Sequence, residues 1–93
     1  MYDFIQDLTL QEVSNAKILL VDDEKMNTAI LAKSLYMFPN ISRVHSGPEA
    51  IEFCKNSPPD LVILDIVMPN MNGLETCKII KKLPLMQNCP VIF

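Results

Sequence analysis

Two apolar runs that stop abruptly at carboxylates constrain this chain more than anything else in it. The first is Lys17-Ile18-Leu19-Leu20-Val21, followed by Asp22-Asp23-Glu24; the second, roughly forty residues on, is Leu61-Val62-Ile63-Leu64, followed by Asp65. Short continuous runs of this kind read as strands buried on both faces, which is how parallel sheets use them. In open parallel α/β sheets, ligands bind at the carboxyl edge of the strands. Were the two runs neighbours, Asp22, Asp23 and Asp65 would share one pocket. Clustered carboxylates repel one another unless a cation holds them together, so the pattern predicts a metal site.

The rest of the chain alternates in the same way. Strands are expected at 17–21, 41–45, 61–65 and 90–93, and helices at about 25–38, 48–55 and 74–83. This βα alternation implies a parallel sheet with right-handed crossovers and places the chain in the α/β class. Apolar stripes are expected at Ile30, Leu31, Leu35 and Phe38 on the first of these helices, at Ala50, Ile51 and Cys54 on the second, and at Leu74, Cys77 and Ile80 on the third. Pro39-Asn40, Ser46-Gly47-Pro48, Ser57-Pro58-Pro59, Pro69 with Gly73, and Pro84 punctuate the boundaries. Residues 1–16 form a separate segment in which Phe4, Ile5, Leu8, Leu10 and Val13 follow no single period. Thr9 and Glu12 stand at capping-box spacing, which predicts a short helix lying on the domain.

At 93 residues the chain is one small domain at most, burying roughly 60% of the surface its unfolded form exposes. Its 49% hydrophobic and 20% charged residues are those of a globular protein, and a net charge of −3 argues against an intrinsic nucleic-acid or anionic-membrane surface. Three cysteines at no metal-ligand spacing fit a reduced, cytoplasmic compartment better than a disulfide framework. The N-terminus lacks the basic and apolar regions of a signal peptide, and no apolar run is long enough to span a bilayer.

An apolar strand ending in Asp22-Asp23, then one ending in Asp65 followed by Ile66-Val67-Met68-Pro69-Asn70-Met71-Asn72-Gly73, resembles the receiver domain of two-component response regulators. The likeness runs in order from about Lys17 to Phe93 and takes in Ser46-Gly47-Pro48-Glu49-Ala50-Ile51 and Pro59-Asp60. It implies a flavodoxin-like, doubly wound parallel sheet of strand order 2-1-3-4-5, a fold for which a chemotaxis receiver is a standard example. By this division residues 1–16 are an N-terminal extension and 17–93 the receiver domain, incomplete after the fourth strand, as a truncated product or as part of a longer chain. The resemblance implies Asp65 as phosphoacceptor, with Asp22, Asp23, Asp65 and the backbone carbonyl of Val67 holding Mg2+. A sensor histidine kinase or a His-phosphotransfer protein is the implied donor. A small hard cation that takes few carboxylates, several waters and phosphate oxygens is Mg2+ rather than Ca2+ or Zn2+. The Ser or Thr past the fourth strand and the Lys at the end of the fifth, which the family uses for switching, cannot be named in this sequence. An uncovered fourth strand further predicts self-association of the 93-residue chain.

Each of these residues has a plainer reading. Asp22-Asp23 could cap a helix, and Val67 could be an apolar lid rather than a control on water access. His45 reads as structural and away from the acidic cluster, Asn27 as a capping or packing residue, Cys54 and Cys77 as small hydrophobes, and Lys78, Lys81 and Lys82 as a solvated face. A pseudo-receiver, binding partners without phosphorylation, is the main alternative function. A phosphatase of the haloacid dehalogenase type wants Asp-x-Asp, and Asp65-Ile66-Val67 lacks the second acid. A nucleotide-binding Rossmann domain fails because the chain has two glycines and no Gly-rich loop.

Overall fold

The computed structural model describes residues 9–93. Phe4, Ile5 and Leu8 of the N-terminal segment lie outside them. The elements run in the order α1 (Leu10–Asn15), β1 (Lys17–Val21), α2 (Lys25–Ser34), β2 (Asn40–Val44), α3 (Gly47–Asn56), β3 (Leu61–Leu64), α4 (Gly73–Lys82), a 3-10 turn (Pro84–Met86) and β4 (Val91–Ile92). The strands form one parallel sheet of order β2-β1-β3-β4. This is the flavodoxin-like order expected from the resemblance.

From Ile18 onward β1 is apolar, as is β3, because both faces of the sheet are covered there, whereas the edge strand β2 carries Asn40, Ser42 and Arg43. On β1 and β3, Leu19, Val21, Val62 and Leu64 point to one face and meet Ala50 and Cys54 of α3, Ile80 of α4, and Met68, Met86 and Cys89. Ile18, Leu20 and Leu61 point to the other face and meet Leu35, Phe38 and Val13. The alternation of side chains along a strand therefore divides one apolar run between two cores.

Local signals fix the helix starts. The α1 capping box is present: Thr9 accepts from the Glu12 N–H at 3.1 Å, and Glu12 Oε1 accepts from the Thr9 N–H at 3.3 Å. Ser46 and Asn72 cap α3 and α4 by accepting from the N–H groups of Glu49 and Glu75.

Three expectations need correction. Helix α2 ends at Ser34 rather than near residue 38, because Leu35 leaves helical geometry and the chain turns through Tyr36 and Met37 before Phe38 re-enters the core. Ile30 is 57% exposed and Leu74 50% exposed, so neither belongs to a core stripe. Thr28 and Thr76 are buried in their helices instead. Their hydroxyls donate back to Lys25 O and Asn72 O, both at 2.9 Å, which removes the usual cost of burying a hydroxyl.

Candidate functional site

Three acids converge where β1 and β3 end. In the parallel register Val21 pairs with Leu64, and the Asp65 N–H donates to Val21 O at 2.9 Å, so Asp65 leaves its strand beside Asp22. Carboxylate oxygens of Asp22, Asp23 and Asp65 all lie within 4.8 Å of one another, and all three residues are half-buried. A cleft of about 220 Å3 opens beside them, lined in part by Asp22, Asn27, Thr28, Asp65 and Phe93. That volume suits a small hydrated ion or a phosphoryl group and falls below the ~300–1,000 Å3 of sites for drug-sized ligands.

The three acids differ in how they are held. Asp22 Oδ1 accepts from the Glu24 N–H at 2.9 Å, and Oδ2 accepts from Asn27 Nδ2 at 3.2 Å. Asp65 Oδ1 accepts a long bond, 3.4 Å, from the Val67 N–H. Asp23 receives no hydrogen bond among the described residues, which leaves its oxygens available. Three carboxylates of hard-donor type, with both Asp23 oxygens and Asp65 Oδ2 accepting no bond among the described residues, on a partly wetted sheet edge are a fitting set for Mg2+. The helix-cap reading of Asp22-Asp23 does not hold, since the N-cap of α2 is Glu24 and no side chain caps it.

The loop after Asp65 is built by close approach. A Cβ on Gly73 would stand 2.7 Å from the Ile66 Cα and 2.9 Å from the Asp65 carbonyl carbon, so only glycine fits where α4 begins. Its N–H donates to Ile66 O at 2.7 Å. The left-handed position in this loop belongs to Asn70, with φ 70°, rather than to a glycine. Met68 is buried in the core, whereas Val67 is 81% exposed.

His45 departs from expectation. From the sequence it is expected at the end of the second strand and away from the acids. In the structure β2 ends at Val44, paired with Val21, so His45 is the first residue past the strand and stands beside Asp22. Its Nδ1 lies 3.0 Å from Asp22 O. Counting parallel register from the two strand ends is the signal that could have found it. Cys54 is buried, as expected of a core cysteine, and Cys77 is half-buried.

The family profile described as response regulator receiver domain matches residues 18–93. Among curated proteins, the chain is 40% identical over 86 residues to a probable cyclic di-GMP phosphodiesterase of Vibrio cholerae serotype O1, with 92% of this chain and 20% of that protein covered. It is 37% identical over 76 residues to the signal transduction histidine-protein kinase BarA of Escherichia coli K12, with 81% of this chain and 8% of that protein covered. The chain thus spans a fifth or less of the length of these relatives. Among solved structures, the N-terminal domain of a response regulator receiver protein from Methanoculleus marisnigri JR1 superposes with a TM-score of 0.77 at 38% identity, covering 84% of this chain and 64% of that one.

Proposed function

This chain belongs to the response regulator receiver domain family, and on that premise we propose that Asp65 accepts a phosphoryl group from a sensor histidine kinase or a phosphotransfer protein in a Mg2+-dependent step. The observation that carries the proposal is the convergence of Asp22, Asp23 and Asp65 within 4.8 Å at the carboxyl edge of the sheet. Asp22, Asp23 and Asp65, with the Val67 carbonyl, are the proposed metal holders. When bound, the ion would neutralise the acids and the charge on the phosphoryl oxygens.

The chain's own part is positioning. Asp65 is fixed at its backbone by Val21 and presents a half-buried carboxylate to the cleft. One carboxylate oxygen forms the O–P bond as the N–P bond to the donor imidazole breaks. The bonding pair returns to that nitrogen, which takes up a proton from solvent. Because phosphoryl transfer depends chiefly on alignment and charge, a weak nucleophile held in place suffices.

Cytoplasmic location belongs to the same proposal; among the described residues no helix is long and apolar enough to cross a membrane. So does self-association of the 93-residue polypeptide, for which the exposed Met26, Ile30 and Phe93 are the motive. Sedimentation that finds only monomer across micromolar concentrations would count against association. Phosphorylation is tested with acetyl phosphate on a polypeptide carrying the whole receiver domain. The wild type should take a base-labile acyl-phosphate label that requires Mg2+, and Asp65→Asn should take none. Label persisting on the Asn variant overturns the assignment, and an unlabelled wild type favours a pseudo-receiver that only binds partners.

A further inference from the structure

We infer that His45 is a positioning residue for the acidic pocket, holding through its ring the peptide that joins Asp22 to Asp23. The inference rests on the proposed Mg2+ site and concerns how this chain shapes it.

The last ladder contacts on this side are the Asp22 N–H to Val44 O, 3.3 Å, and the Asp65 N–H to Val21 O, 2.9 Å. The next carbonyl along the chain is that of Asp22, and it lies past the end of both pairings. That carbonyl belongs to the peptide linking the two acids, so its rotation would reorient Asp23 as well as Asp22. His45 Nδ1 reaches it at 3.0 Å. A carbonyl can only accept, so the contact requires the proton on Nδ1 and defines the tautomer.

The backbone that carries this ring is itself anchored, through the main-chain N–H of His45. The His45 N–H donates to Glu49 Oε2 at 3.3 Å, while Ser46 caps the same helix by accepting from the Glu49 N–H at 3.2 Å. The first turn of α3 therefore fixes His45, and His45 fixes the Asp22 carbonyl. Asn27 acts on the side chain of the same residue from α2, through its 3.2 Å bond to Oδ2. Asp22 is thus tethered at its N–H, its carbonyl and both carboxylate oxygens, whereas the Asp23 side chain receives no bond among the described residues and is oriented through its two flanking peptides, one held by His45 and the other, at the Glu24 N–H, by Asp22 Oδ1. Partners one step removed from metal ligands commonly set ligand orientation and affinity in this way.

The test measures Mg2+ binding to unphosphorylated protein by titration calorimetry at one fixed pH, together with the metal-free melting temperature. His45→Phe keeps a ring and removes the donor, and its Mg2+ Kd should rise about tenfold. His45→Asn places an amide N–H close to the Nδ1 position, and its Kd should return near the wild-type value even if its melting temperature does not. Should the Phe variant fail to fold, His45→Ala is the donor-free comparison. A donor-free variant that binds Mg2+ like the wild type overturns the inference, as does an Asn variant as weak as the donor-free one. A wild type that binds no Mg2+ overturns the metal reading itself and this inference with it.

Discussion

Asp22 and Asp23 are adjacent in sequence but unlike in circumstance. Every polar group of Asp22 is engaged by the protein, while the Asp23 carboxylate accepts nothing among the described residues and faces two other acids within 4.8 Å. Removing its charge relieves repulsion and removes a metal ligand at the same time. Asp23→Asn should therefore melt no lower than the wild type without metal. Wild-type protein should gain about 2.7 kcal/mol at a Mg2+ concentration roughly 100-fold above Kd, and the variant far less. Equal Mg2+ responses in thermal melts would show that Asp23 is not a ligand. The acids themselves are legible in the sequence because each ends an apolar run, and strand ends are visible as changes in hydropathy. His45 and Asn27 are not legible in the same way. Their contacts with Asp22 depend on strand register and on the facing of a helix turn, neither of which leaves a local mark.

Helix faces are less legible in this sequence than strand ends, and the cause is chemical. In α4 the buried row is Gly73, Thr76 and Ile80, at i, i+3 and i+7; in α2 it includes Thr28 with half-buried Leu31. Each threonine stands two positions from the apolar residue expected inside, Leu74 and Ile30 respectively, or roughly 200° around the helix. Hydropathy assigns a hydroxyl to solvent, but a hydroxyl that bonds back to its own helix can be buried at little cost. The corrected faces make opposite predictions for two nearby side chains. Leu74→Ala should change stability by no more than about 0.5 kcal/mol, as for an ordinary surface site. Ile80→Ala removes a fully buried side chain from the larger core cluster and should lose about 2–5 kcal/mol. Urea denaturation of the two variants decides between the faces, and a large loss at Leu74 would restore the stripe expected from sequence.

At the scale of the whole molecule, hydropathy implies parallel strands buried on both faces but gives them no spatial order. The order comes with the resemblance carried by the two acidic motifs, and the sheet agrees with it. A domain this small has little stability to spare, so a single buried titrating group leaves a measurable trace. Cys54 is 1% exposed, and burial first, then the nearby Cys89 thiol, pushes its pKa from 9.0 up to about 11. Cys89 is pushed up too, chiefly by burial, with Lys81 opposing. Between pH 9 and about 11 the unfolded chain releases the Cys54 proton while the folded chain keeps it. The folded state then binds more protons, and stability falls as pH rises. The contribution is whole below pH 9 and disappears by about pH 11, a loss of about 2–3 kcal/mol from this thiol. Lysines and tyrosines titrate in the same range, so the readout is a difference between two proteins. Cys54→Ala should be less stable at neutral pH, through the space it leaves, yet decline less steeply than the wild type above pH 9. Parallel pH profiles for the two would mean that the Cys54 thiol ionises as readily in the folded core as in water.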